Sequence, residues 1–173
     1  MELLTGYGPL LIFLIAVALA FDFLNGLHDA ANSIATIVAT RVLPPFIAVA
    51  WAAFFNFIAF LFFGLHVAKT VGAGLVMPEL ISDGLIFSAL IGAIGWNLLT
   101  WWAAIPSSSS HALIGGLVGA GVAKAGMGAV MWGGLSKTLF AIVLSPATGF
   151  ILALFLVLMV SWLFVRLTPF AVD

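Results

Sequence analysis

The chain has 173 residues, of which 65% are hydrophobic and only 6% charged, and its formal net charge is -1. Soluble domains hold roughly half apolar and a quarter charged residues, so this balance excludes water as the main solvent. The net charge says nothing about partners, but with Lys and Arg together only 5, nothing resembles a basic nucleic-acid surface, and the lack of cysteine excludes a disulfide framework, a thiolate metal site and a thiol nucleophile.

A membrane span needs about 20 apolar residues. In chain order, the first candidate runs from about Pro9 to Thr40 and the second from Phe46 to about Val67, with a turn at Arg41 to Pro45 between them. The first run lacks a basic leader, carries Glu2 and shows no small-residue cleavage site, so it is expected to be retained rather than removed as a signal peptide. A polar connector from Ala68 to Asp83 follows, and then a third span from about Leu85 to Ile105 that stops at Pro106. Beyond it, a short apolar helix over about 107–123 opens on Ser107 to Ser110, a second short piece covers about 137–145, and Ser145-Pro146 precedes a last span over about 147–166. The short pieces read as re-entrant or broken half-helices, which need protein or a wet cavity to satisfy their free backbone groups. The expected fold is an all-α integral membrane bundle forming one transmembrane domain. The basic residues are thinly spread, and an Arg41 loop free of acids favours a cytoplasmic turn and an external N-terminus.

Two constellations carry chemistry. Asp22, Asn25, Asp29, Asn32, Ser33, Thr36 and Thr40 recur at spacings of three and four, along one face of an otherwise apolar helix. An ionisable group at bilayer depth costs about 2.5–3.5 kcal/mol, so Asp29 requires a partner, an ion or water. Asn25, Asp29 and Asn32 together form an oxygen cage of the kind a hard cation prefers, with Na⁺ as a candidate occupant. Ser33, Thr36 and Thr40 read better as helix-to-helix glue, and Asp22 fits either the stripe or the membrane surface. Gly26 is a place where the helix can open, which would bring His28 into a cavity.

The second constellation is Pro106 to His111. Free N–H groups and the positive dipole end of a helix N-terminus attract anions, and Ser107, Ser108, Ser109 and Ser110 exceed the needs of one N-cap. A half-helix mouth of this kind is how transporters hold anionic substrates. His28 and His111 are candidate proton relays, with a neutral buried histidine as the alternative for His111. Ser110 beside His111 invites a hydrolase reading, but neighbours in sequence do not face each other on a helix, so catalysis is not expected. No cofactor is implied. Asn97 and Thr100 form an i, i+3 pair that could reach the same cavity, although inter-helix glue is the better reading. Trp51, Trp96, Trp101, Trp102 and Trp162 read as interface or packing aromatics, and His66 and Lys69 as interfacial.

With these residues assembled, the chain resembles the inorganic phosphate transporter (Pit) family, in its bacterial low-affinity form. Phe21 to Ser33 is similar to the family signature G-x-[NH]-D-x-A-N, and Trp96-Asn97-Leu98-Leu99-Thr100 running on to Pro106 through His111 looks like its P-x-S-[ST]-[ST]-H segment. The resemblance implies symport of inorganic phosphate or metal-phosphate driven by H⁺ or Na⁺, in a bacterial or archaeal plasma membrane. It implies substrate contacts from Asp29, Asn32, Ser108, Ser109 and Ser110, to which the serine-mouth reading adds Ser107. Family members carry two such halves in inverted orientation, and this chain has one copy of each motif, so pairing with a second transporter half or as a homodimer is expected. Transport of another oxyanion such as sulfate, or a non-transporting scaffold role, are the alternatives.

Overall fold

The computed structural model describes residues 8–63 and 74–165. Glu2, His66, Lys69, Arg166 and the end of the second span lie outside the described residues. Five α-helices are described: α1 Pro9–Ala39, α2 Pro45–Phe63, α3 Asp83–Trp102, α4 Ser109–Ala125 and α5 Trp132–Leu163. Short 3-10 turns at Pro78–Leu80 and Met127–Ala129 complete the set, and the described residues contain no named strand. α1, α3 and α5 are long and apolar enough to cross a membrane. The chain is therefore an all-α integral membrane protein.

The helix ends follow from local chemistry. α1 opens with Pro9, whose missing N–H is not needed in the first turn. It closes with Arg41 at φ 59°, where the Val42 N–H reaches back to Ile37 O at 3.1 Å. α3 begins on the N-cap Ser82, which accepts from Leu85 N, and its C-terminus repeats the closure of α1. Ala104 takes φ 53° and Ile105 N–H donates to Thr100 O at 2.9 Å. α3 ends at Trp102, short of the expected Ile105, because Pro106 keeps the residue before it out of helical geometry.

One expectation is corrected. The division into a half-helix over 137–145 and a span over 147–166 is replaced by a single helix, with Pro146 inside α5. Proline removes one backbone bond, but ending the helix there would leave several groups unpaired in an apolar medium. Thr148 Oγ1 also donates to Leu144 O at 2.8 Å across the proline.

The chain divides into two compact units, residues 1–132 and 133–173. In the first, α3 and α4 form an antiparallel hairpin. A Cβ at Gly116 would run into Ala89 O, so only glycine lets the two backbones approach this closely. At the far end of the hairpin an isolated antiparallel bridge joins Val76 to Val130. Met77 N–H donates to Ala129 O and Met131 N–H to Leu75 O, at 3.0 and 2.9 Å. Lys124 Nζ donates to Leu80 O and Ser82 Oγ, both at 2.8 Å, and so ties the last turn of α4 to the start of α3. α1 packs on α3 through Phe21, which forms a buried cluster with Leu90 and Ala93. In the second unit, α5 carries no buried residue.

Candidate functional site

The serine run sits where α3 hands the chain to α4. Ser108 is the N-cap, its Oγ accepting from His111 N–H at 3.4 Å, while Ala112 N–H donates to Ser108 O at 3.0 Å. The first-turn N–H groups of Ser109 and Ser110 precede the helical ladder, as at any helix start. The loop before them is held by Trp96, whose indole Nε1–H donates to Ser107 Oγ at 3.0 Å. Reading Trp96 as an interface aromatic missed this bond. The signal was its place in the same segment as the serines, eleven residues earlier.

The four serines do not point alike. Ser107 and Ser108 are half-buried, Ser110 and His111 are exposed, and Ser109 is fully buried. Ser109 Oγ has no hydrogen-bond partner among the described residues. The accessible mouth is thus made by Ser107, Ser108 and Ser110, with Ser109 turned inside.

On α1 the spacing holds over one continuous helix, but the residues are not enclosed. Asp22, Asp29, Asn32, Ser33 and Thr36 are exposed, and His28 and Asn25 are half-buried. Ser33 Oγ donates to Ala30 O at 3.1 Å and Thr40 Oγ1 to Thr36 O at 2.7 Å, so both hydroxyls are satisfied by their own helix. Among the described residues, no hydrogen bond joins Asp29 or Asn32 to the serine run. Asn25 differs from its neighbours, because its Oδ1 is buried and unpartnered. Gly26 lies within regular helix, and α1 is not opened there.

Asn97 and Thr100 are buried at 0% and 2% exposure. Thr100 Oγ1 lies 2.9 Å from Trp96 O and 3.1 Å from Asn97 O, a donor satisfied by its own helix. Among the described residues, Asn97 makes no side-chain hydrogen bond through either amide atom, so no helix described here is glued through it. A groove of about 490 Å³ is lined by residues of α3 and α4. Its lining, which includes Gly92, Gly115, Gly119 and Ala120, carries no charged side chain that could hold an anion.

The model of the Phosphate transporter family matches residues 25–172. A "Probable low-affinity inorganic phosphate transporter" of Rhizobium meliloti (strain 1021) is 72% identical over 95% of this chain and 49% of its own length. One of the same description from Bacillus subtilis (strain 168) is 45% identical, over 90% of this chain and 47% of its own length. A solved structure described as "The sodium-dependent phosphate transporter" is similar with a TM-score of 0.81 at 30% identity, covering 90% of this chain and 40% of that one. The chain spans about half the length of these two curated relatives. The matched region holds Asn25 to Ser33 of the first signature segment and the whole of the second, and the chain belongs to the phosphate transporter family.

Proposed function

We propose that this chain is one half of a secondary carrier that moves inorganic phosphate, or a metal-phosphate complex, across the plasma membrane by symport with H⁺ or Na⁺. The observation that carries the reading is the serine run at the start of α4, anchored by Trp96, in a chain of this family. Phosphate oxygens would be held by Ser107, Ser108 and Ser110 and by the backbone N–H groups of the first turn, where the helix dipole favours negative charge. Ser109, Asp29 and Asn32 would line the same cavity from within and from α1. The coupling ion is assigned to Asn25, Asp29 and Asn32, and His28 and His111 are the candidates to relay a proton.

Asp29 and Asn32 are exposed on this chain. Polar groups facing hydrocarbon cost several kcal/mol each, so further protein surface must cover the α1 stripe. A second transporter half in inverted orientation, or a second copy of the chain, supplies that cover and the opposite wall of the cavity. Rocking of the two halves about the shared site then gives alternating access.

Labelled phosphate uptake into proteoliposomes tests the substrate. Saturable uptake competed by phosphate and arsenate is expected. Saturable sulfate uptake that phosphate does not compete contradicts the substrate, and no uptake in the paired assembly favours a scaffold role.

A further inference from the structure

The groove of about 490 Å³ on the α3–α4 hairpin is lined on α3 by Ser88, Gly92 and Trp96, and on α4 by residues between Ala112 and Ala123. A Cβ built at Gly92, Gly115 or Gly119 would meet nothing within 4 Å, so glycine leaves open space there. The polar groups of the lining are already spent. Ser88 Oγ donates to Gly84 O at 2.8 Å within its own helix, and Trp96 Nε1–H donates to Ser107. What remains is an apolar trough, which asks for an apolar occupant.

Its length and its two ends say which one. Eleven residues separate Ala112 from Ala123, so the α4 wall is about 16 Å long. The hydrocarbon core of a bilayer is about 30 Å thick, so the trough is one leaflet deep. The ends differ in charge. Because α3 and α4 are antiparallel, the Ala123 end lies at the start of α3, where Glu79, Asp83 and Lys124 stand. Lys124 Nζ spends two of its three donors on Leu80 O and Ser82 Oγ. Trp96 and the serine run stand at the other end, with no Asp, Glu, Lys or Arg between Gly84 and Ala123. The charged end marks the level of lipid headgroups, and the Trp96 end lies near the middle of the bilayer.

We propose that the groove seats one acyl chain of a zwitterionic phospholipid that carries an ammonium group. The chain enters from the leaflet at the Ala123 end and ends against Trp96. The phosphodiester lies at the level of Lys124, and the headgroup ammonium at that of Glu79 and Asp83, two acids that disfavour a purely anionic lipid. A transmembrane helix fits less well: with its side chains it is about 10–12 Å across, so 16 Å of it displaces on the order of 1,000 Å³, and the groove admits only one edge. The chain tip touches the side chain that holds Ser107, so the lipid steadies the loop before the serine run. That consequence rests on the carrier reading above, whereas the seat rests on shape, length and charge.

The test takes the purified full chain in mild detergent with an equimolar mixture of phosphatidylethanolamine and phosphatidylglycerol, read by mass spectrometry of the intact complex. One retained phosphatidylethanolamine per chain is expected. Gly119→Leu fills the groove where no atom obstructs it, and should lower retention at least tenfold without lowering the unfolding midpoint. Gly115→Ala combined with Gly119→Ala should lower it a few-fold. Gly149→Leu, equally open but on α5, should retain lipid as the native chain does. A native chain that retains no more phospholipid than Gly119→Leu overturns the seat. So does undiminished retention in the double alanine variant, which is small enough to fold even if Gly119→Leu does not. Retention of phosphatidylglycerol alone overturns the headgroup assignment, and a second protein chain held in place of lipid, and lost in Gly119→Leu, overturns the seat in favour of a helix. In the paired carrier, removing phospholipid should raise KM for phosphate a few-fold and adding it back should restore the value. An unchanged KM overturns the link through Trp96, and absence of phosphate uptake beside intact lipid retention counts against the carrier and leaves the seat standing.

Discussion

On α1 the polar residues Asp22, Asp29 and Asn32 are exposed, whereas in the α3–α4 hairpin Asn97, Thr100 and Ser109 are between 0% and 2% exposed. Both regions place polar groups in an apolar protein, and they handle the cost differently. The hairpin supplies its own cover: Gly116 brings its backbones into contact, Trp96 fixes its loop and Lys124 ties its far end. The α1 stripe supplies none, apart from hydroxyls that bond back to their own helix. In the proposed site the hairpin is therefore the preformed part, and the stripe is the part that needs further protein packed over it.

The largest effect that would sharpen this contrast is expected on the stripe. Asp29→Asn keeps the shape and removes the charge, so it should abolish coupled uptake while leaving the unfolding midpoint nearly unchanged. Normal uptake at every pH and sodium level would make Asp29 structural. Gly116→Val should act on the hairpin in the opposite sense, on stability first. Its side chain must displace the Ala89 backbone, an overpacking cost of about 1–3 kcal/mol, seen as a lowered midpoint. An unshifted midpoint would show that the hairpin is not tightly packed.

Smaller effects are expected at the mouth. Ser110→Ala removes one hydrogen bond to a charged ligand, worth about 1.5–3 kcal/mol, so KM for phosphate should rise by tenfold or more with the midpoint unchanged. Trp96→Phe removes only the N–H that holds Ser107, an interaction of about 1 kcal/mol. A rise in KM of a few-fold is expected, and an equal rise in the Ser107→Ala background would show that the two residues act separately.

Much of this was legible before any coordinates. The apolar runs mark α1, α2 and α3 because length and composition alone decide what can sit in a bilayer, and the serine run marks the start of α4 because hydroxyls there cap a helix. The spacing of Asn25, Asp29 and Asn32 places them on one face, and α1 keeps them there. Other features depend on tertiary geometry that spacing does not encode. Ser109 and Ser110 are chemically identical neighbours, and only the docking of α4 on α3 turns one inward and the other outward. Asn97 looks like interhelical glue, yet it has no hydrogen-bond partner among the described residues. Pro146 carries a strong local signal for a break, yet the need to keep backbone groups paired in an apolar medium outweighs it, and α5 continues.

The central claim of the proposed function is that the α1 stripe needs a second transporter half packed over it before the site can work. The most direct measurement is labelled phosphate uptake at a protein-to-lipid ratio giving at most one copy of this chain per vesicle, with and without an equimolar second transporter half. Uptake only when the second half is present, or only at densities where two copies share a vesicle, is the predicted result. Saturable uptake by vesicles that hold a single copy and nothing else would contradict the account.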